Sequence, residues 1–287
     1  MCLGFNRFIT FLTRPFKAGR TRIFRTAVVV CLLALGWMPA PVAISAEEEA
    51  PTSLPLSIKA FQPGETLTYD ISWSNIFTAG IATMQVEMEK SPEGRDIFKF
   101  IVHGHSTGLV DKIYPVNDTV QSVFDPLIMQ SLSYSLSENF KKKKRLRVMV
   151  FDHSQKTVVS RLNEDPPETL VVPDPVQDAL STLYYLRTRE DFMPDKHIDI
   201  DVVDSGKNWS VEVYTLGREK VTTPAGEFET IKVMTHPKYQ GTFLNKGEVF
   251  FWLTDDIRKI PVLMKSTIAV GSFVFTLTEI KPGDNQH

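Results

Sequence analysis

Few residues in this chain have the types and spacing that chemistry needs. His103 and His105 flank a single glycine. In a strand, positions i and i+2 face the same way, so both imidazoles could grip one metal ion. A catalytic zinc site takes three protein ligands, and the spacing marks no third. Lys99 would share their face, which fits a solvated strand. Asp255 and Asp256 are adjacent carboxylates. In a strand they would point to opposite faces, and after Thr254 they read as a turn. Asp152-His153-Ser154 carries the letters of a nucleophilic triad, but triads assemble in space, so a turn is expected there too. Asp199 and Asp201 share a strand face without the run of oxygen donors that a calcium loop supplies. No nucleophile elbow, zincin helix, phosphate loop or dinucleotide fingerprint occurs. The two cysteines, Cys2 and Cys31, lie near the start, leaving none beyond residue 46 for disulfides, thiolate catalysis or cysteine zinc sites. The motifs therefore name no catalytic residue and no cofactor, and they weigh against an enzyme.

The elements that would position any site follow from charge and hydropathy. The 287 residues carry a formal charge of −2, which hides an asymmetry. Residues 1–46 hold six basic side chains (Arg7, Arg14, Lys17, Arg20, Arg22, Arg25) and no acid; setting these aside leaves −8 from Glu47 onward. An acidic body argues against nucleic acid, which needs a basic face. Thr26–Met38 is an uncharged apolar run between the basic stretch and the small-residue segment PAPVAISA. That order is a secretory signal peptide over 1–46, with cleavage expected after Ala46. The run is short for a bilayer span of about 20 residues. An uncleaved inner-membrane anchor is the alternative to a free periplasmic protein. Val28, Val29 and Val30 precede Cys31, where a lipoprotein signal needs a small residue, so lipidation there is not expected.

Residues 47–60 read as a flexible tether, 61–281 as one β-rich domain, and 282–287 as a disordered tail. Leu67, Tyr69, Ile71 and Trp73 alternate with polar residues, as do Ala82, Met84, Val86 and Met88. Leu132, Tyr134 and Leu136 alternate with serines at 131, 133, 135 and 137. Such alternation buries one face of an antiparallel sheet. Ser91-Pro92-Glu93-Gly94 and Thr223-Pro224-Ala225-Gly226 read as hairpin turns. Asp174-Pro175-Val176-Gln177 reads as a helix start, with Val176, Leu180, Leu183 and Tyr184 on one face to about Arg189. Asn163–Pro173, with three prolines and three acids, reads as a loop. Phe250–Leu253 reads as a strand buried on both faces. Lys141, Lys142, Lys143, Lys144 and Arg145 read as a solvated strand end, or as a contact for membrane headgroups. The expected fold is mainly β: a large curved antiparallel sheet or open β-barrel of roughly a dozen strands with one packed helix at about 176–189.

Four stretches carry a resemblance: Phe61–Glu87, Val176–Arg187, Gly217–Val233 and Val249–Phe273. Their order and spacing resemble the bacterial family called domain of unknown function 3108, over nearly all of the chain beyond the leader. The resemblance implies an exported envelope protein. It supplies no activity and no catalytic residues, and the His-x-His pair is not part of its pattern.

A curled sheet of this size has a wide concave face, a natural apolar cavity. The expected function is a periplasmic, non-enzymatic protein binding a hydrophobic or lipid-bearing envelope component. Tyr69, Trp73, Met84, Met88, Phe98, Phe100 and Tyr134 are the expected ligand contacts, because flat rings and flexible methionine suit adaptable apolar sites; the same residues would equally serve as core. An envelope scaffold binding a protein partner by a strand edge is the first alternative. A hydrolase acting on envelope polymers is the second.

Overall fold

Period-two alternation builds one sheet, and the turns decide how far it extends. The computed structural model describes residues 58–283 apart from 75, 141–142, 244–247 and 269–270. The expected leader, most of the expected tether, and Lys141 and Lys142 lie outside the described residues. Among the described residues, sixteen strands and two short helices run in the order β1 (Thr66–Trp73), β2 (Phe77–Lys90), β3 (Asp96–Ser106), α1 (Gly108–Ile113), β4 (Asn117–Asp125), β5 (Gln130–Phe140), β6 (Lys143–Asp152), β7 (Thr157–Leu162) and β8 (Glu168–Val171). They continue with β9 (Gln177–Asp178), α2 (Ser181–Arg187), β10 (His197–Asp204), β11 (Lys207–Thr223), β12 (Gly226–Tyr239), β13 (Thr242–Phe243), β14 (Val249–Thr254), β15 (Pro261–Ile268) and β16 (Gly271–Lys281). The sheet order is β8-β7-β6-β5-β4-β3-β2-β1-β16-β15-β14-β12-β11-β10-β9, with β13 beside β12. All pairings are antiparallel except β9 on β10. The mainly β, open, curved architecture is the expected one. The strand number exceeds the expected dozen because three short strands, β8, β9 and β13, complete the sheet.

Both proline–glycine turns are hairpin corners. Gly94 takes φ +80° and donates its N–H to the Ser91 carbonyl between β2 and β3. Thr223 and Gly226 pair at the tip of β11–β12. A bulge makes the serine stripe of β5 change face. Phe124 pairs with Ser131 but Val123 with Ser133, so Leu132 is the extra residue. Ser131 therefore points inward, whereas Ser133, Ser135 and Ser137 stay on the outer side with no more than partial burial.

Two sequence expectations are corrected. Asp174 does not open the helix. The Gln130 amide donates to Asp174 Oδ1 at 2.9 Å, and its oxygen accepts the Val176 N–H at 2.9 Å. Gln177 and Asp178 then pair with Val202 and Val203 as β9. Tertiary pairing thus outweighs the local capping signal, and α2 begins only at Ser181. The start is fixed by Asp178, whose Oδ1 accepts the N–H groups of Leu180 (2.7 Å) and Ser181 (2.8 Å). Second, the expected loop 163–173 contains edge strand β8, which pairs with β7.

The interior has two tiers. At the end of the sheet that carries the β2–β3 and β14–β15 turns, α2 and Phe61 fill the hollow. Tyr184 stacks on Phe100 with ring centroids 3.6 Å apart and planes at 4°. Phe61 meets Phe98, Phe100 and Tyr184 edge-on at 5.1–5.2 Å. Arg187, fully buried, reaches both oxygens of Glu65 (2.7 and 2.9 Å), the Ala60 carbonyl (2.6 Å) and the Arg258 carbonyl (3.0 Å). Burial opposes its charge, but the Glu65 carboxylate more than restores it and holds the guanidinium pKa above its ordinary value. Ala60, at the end of the expected tether, is thereby docked and buried.

The sheet closes on itself through side chains rather than a ladder. The Asp178 Oδ2 accepts hydrogen bonds from Ser122 and Ser131, both at 2.5 Å, tying β9 to β4 and β5. Asn208 donates to the Val171 carbonyl at 2.7 Å, joining the start of β11 to β8. Burial pushes the Asp178 carboxyl pKa up, against the pull of the two serines and the two backbone N–H groups.

Candidate functional site

The second tier is open. At the end bearing the β1–β2 turn, α1 and the tip of β5–β6, the sheet encloses a cavity of about 710 Å³. That volume lies in the range of small-molecule sites. Ile71, Val102, Val120, Leu136 and Phe273 form apolar walls, and Ala179 and Leu180, just before α2, form part of the floor. On β3 the inward position nearest this end is small. Phe98, Phe100 and Val102 point inward along β3, and the next inward position is Gly104. A Cβ at Gly104 would meet nothing within 4 Å. Gly80, on β2, has a different reason for its size: a Cβ there would lie 2.4 Å from the His105 carbonyl oxygen.

Two carboxyls sit on the wall. Asp118 and Glu138 flank the paired residues Thr119 and Ser137, which places them side by side on β4 and β5. Burial raises the Asp118 pKa to about 6; the Asn139 N–H, 2.8 Å from Oδ1, works against the rise, and Glu138 adds to it. Glu138 has Arg145 at 3.7 Å as its counter-charge. Tyr114 also lines the cavity, and burial raises its phenol to about 12. The site is thus an apolar chamber with one acidic stripe.

Of the seven expected ligand contacts, the structure brings Trp73 and Tyr134 to the cavity. Trp73 packs edge-on against Phe273 at 4.8 Å. Tyr134 is buried, which pushes its phenol well above the ordinary value. Phe98 and Phe100 lie in the filled tier beneath α2 and Phe61, and Met84 is buried in the core. Tyr69, in the same tier, donates to the Pro261 carbonyl at 2.9 Å. Met88 lies toward the far end of β2, beside Pro63 and Gly64. Alternation marks inward residues but cannot tell which of them a helix will cover.

The remaining chemical candidates do not assemble. His103 and His105 are exposed, and His103 Nδ1 is 2.9 Å from the Thr119 hydroxyl. Among the described residues, the cluster that brings three metal-type ligands together is His197, Asp199 and Glu212. Glu212 is already neutralised by Lys238 and hydrogen-bonded by Tyr214. Asp255 pairs with Arg218 at 2.7 Å and Asp256 with Arg258 at 2.7 Å, in a turn as expected. Asp152 accepts from Ser154 at 2.7 Å in the β6–β7 turn, and His153 Nε2 meets the Ser131 carbonyl at 2.8 Å. Sequence reasoning missed Asp118, Glu138 and the residues of α1. The spacing of Leu109, Val110 and Ile113 was a signal of a short amphipathic turn.

Comparison with known proteins follows the same lines. A family model described as a protein of unknown function, DUF3108, matches residues 68–278. The chain belongs to the DUF3108 family. No curated protein matches it in sequence. Among solved structures, it is similar to a β-barrel-like protein of domain of unknown function DUF1849 from Brucella abortus, at 12% identity and a TM-score of 0.53, covering 78% of this chain and 100% of that one. This DUF3108 chain also matches a protein described as exported, with a YmcC-like fold, from Bacteroides fragilis NCTC 9343 (13% identity, TM-score 0.32, 77% and 97% covered). A third match is a protein described as a lipoprotein from Parabacteroides distasonis ATCC 8503 (12% identity, TM-score 0.32, 77% and 97% covered). The first likeness shows the β-barrel-like fold that the DUF3108 chain adopts.

Proposed function

We propose that this protein is an exported, non-enzymatic carrier that binds a hydrophobic or lipid-bearing component of the cell envelope in the cavity of the open tier. The observation that carries this reading is an apolar chamber of about 710 Å³ left beside a core that α2 packs to completion elsewhere. A chain that gained only stability from its interior would fill that volume, because unfilled space forfeits packing. The leader read from residues 1–46 supports export to the periplasm. No helix of the described residues is long and apolar enough to cross a membrane.

Asp118 and Glu138 define the polar end of the ligand. A carboxylate pair on an apolar wall repels an anionic head and accepts donors or positive charge. The ligand class is therefore an apolar molecule whose polar group is neutral or cationic. Organic extraction of the purified protein followed by mass spectrometry, with displacement of N-phenyl-1-naphthylamine in solution, tests the reading. Absence of both a co-purified apolar molecule and probe binding would sink it.

The same two carboxyls favour a second reading, hydrolysis, since two acids side by side on one wall can divide general acid and base roles. Turnover of envelope glycans or esters that is lost in both Asp118→Asn and Glu138→Gln would establish it. The strand-edge reading rests on short margins: β8 has four residues, and β9, tied to β4 and β5, pairs with only Val202 and Val203 of β10.

A further inference from the structure

The rim of the cavity is unlike the rest of the surface. Ile76, Leu109 and Ile113 expose 77%, 75% and 73% of their area, and Phe77 exposes 50%. Three of the four most exposed large apolar side chains in the described residues therefore stand on one edge. They come from two separate elements, the β1–β2 turn and α1, which the Thr107 N–H locks together through the Ala79 carbonyl at 3.1 Å. Phe77, Leu109 and Ile113 also line the cavity, so the exposed apolar band runs continuously into the chamber. α1 cannot owe this face to the core, since none of its residues is buried.

Positive charge stands beside that band. Lys112 is exposed in α1 itself. The β5–β6 hairpin, with exposed Lys143 and Lys144, is packed against the end of α1 through Tyr114 and Phe140, whose ring centroids are 3.9 Å apart. Val116 and Phe140 also form a bridge. This grouping, with Asp111 next to Lys112, belongs to a body whose net charge beyond residue 46 is −8. An apolar wedge flanked by lysines is the pattern that enters the interface of an anionic bilayer: the wedge enters the acyl boundary and the lysines meet phosphates.

We propose that the cavity mouth docks on an anionic phospholipid bilayer. Ile76, Phe77, Leu109 and Ile113 enter the interface, and Lys112, Lys143 and Lys144 contact the headgroups. Docking stands on the rim alone. Its consequence, passage of an apolar ligand between bilayer and chamber without crossing water, rests on the carrier reading above.

Flotation of the purified protein with vesicles of phosphatidylcholine alone, or with one-third phosphatidylglycerol, tests the proposal. Binding is expected to the anionic vesicles and to weaken as salt is raised. Ile76→Asp/Ile113→Asp should lower the partition coefficient by on the order of tenfold or more. Lys112→Gln/Lys144→Gln should lower it by roughly fivefold per lysine, only with anionic vesicles. Gly104→Leu, which blocks the chamber and leaves the rim intact, should float like the wild type while losing the naphthylamine probe. If it loses neither, the carrier reading fails and docking survives. Equal binding to both vesicle types, or unchanged flotation of a folded Ile76→Asp/Ile113→Asp protein, overturns docking. So does a concentration-dependent dimer abolished by that variant, because a second copy would then be what covers the rim.

Discussion

Placing a leucine at Gly104 should move stability and binding in opposite directions. The position points into the chamber, its backbone is not in the left-handed region, and a Cβ there would meet nothing within 4 Å. A leucine fully removed from water contributes about 1.5–3 kcal/mol. The chamber is open at one end, so part of that gain is expected, about 1 kcal/mol. For a domain of this size that raises Tm by roughly 2–4 °C. The four added carbons would displace about as many ligand carbons, each worth about 0.8 kcal/mol when buried. The loss is about 3 kcal/mol, or roughly a hundredfold in Kd. Thermal denaturation of the delipidated protein and titration with N-phenyl-1-naphthylamine read the two effects. A destabilised variant would lose both together, so the opposed signs are the signature of a filled site. A variant with raised Tm and undiminished probe affinity would show that the chamber is not where the ligand sits. A lowered Tm would show that the wall at Gly104 has no room to spare.

The neighbouring glycine is the contrast: Gly80→Ala should cost about 1–3 kcal/mol in urea denaturation, because its Cβ meets a backbone carbonyl that cannot step aside. Glu65→Ala should cost about 3–5 kcal/mol, since it strands the buried Arg187 guanidinium; an unchanged denaturation midpoint would mean that the clamp is idle. Asp118 gives a pH signature. Its carboxyl titrates near 6 in the folded chain against an ordinary 3.8, so the folded state holds the extra proton between those values. Its contribution to stability is unpenalised below the ordinary value and falls as pH rises through about 6. Asp118→Asn should therefore raise Tm more at pH 8 than at pH 5, and an equal gain at both would contradict the assignment. The same substitution should weaken the preference of the chamber for a long-chain amine over a long-chain carboxylate, read by competition at pH 8.

The fold was legible where a physical rule acts locally. Period-two alternation marked β1, β2, β5 and β11, and the two proline–glycine corners marked their turns. Legibility ended where distant groups decide. The Asp174 capping signal lost to Gln130 and to the pairing of Gln177 and Asp178 with Val202 and Val203, each 25 residues further on in β10. The bulge at Leu132 turned Ser131 inward to meet Asp178, which no stripe of serines announces. The site was half legible. Inward aromatic positions were correctly placed on the concave side, but whether α2 covers them depends on helix placement, so Trp73 and Tyr134 line the chamber while Phe98 and Phe100 do not. Asp118 was hidden because an acid among polar neighbours reads as outward until strand register is known.

The pairing of β1 with β16 carries a kinetic consequence. The central seam of the sheet joins the first strand to the last, so each half of the polypeptide leaves one strand margin bare until the other arrives. A chain synthesised with its amino end leading must hold β1 with one naked margin until some two hundred further residues have arrived. Such late, distant closure is slow, and bare strand margins recruit their like from other molecules. Clipping β16 should therefore yield aggregates rather than a smaller soluble body, and helper proteins that shield the nascent margin would matter most just before synthesis ends.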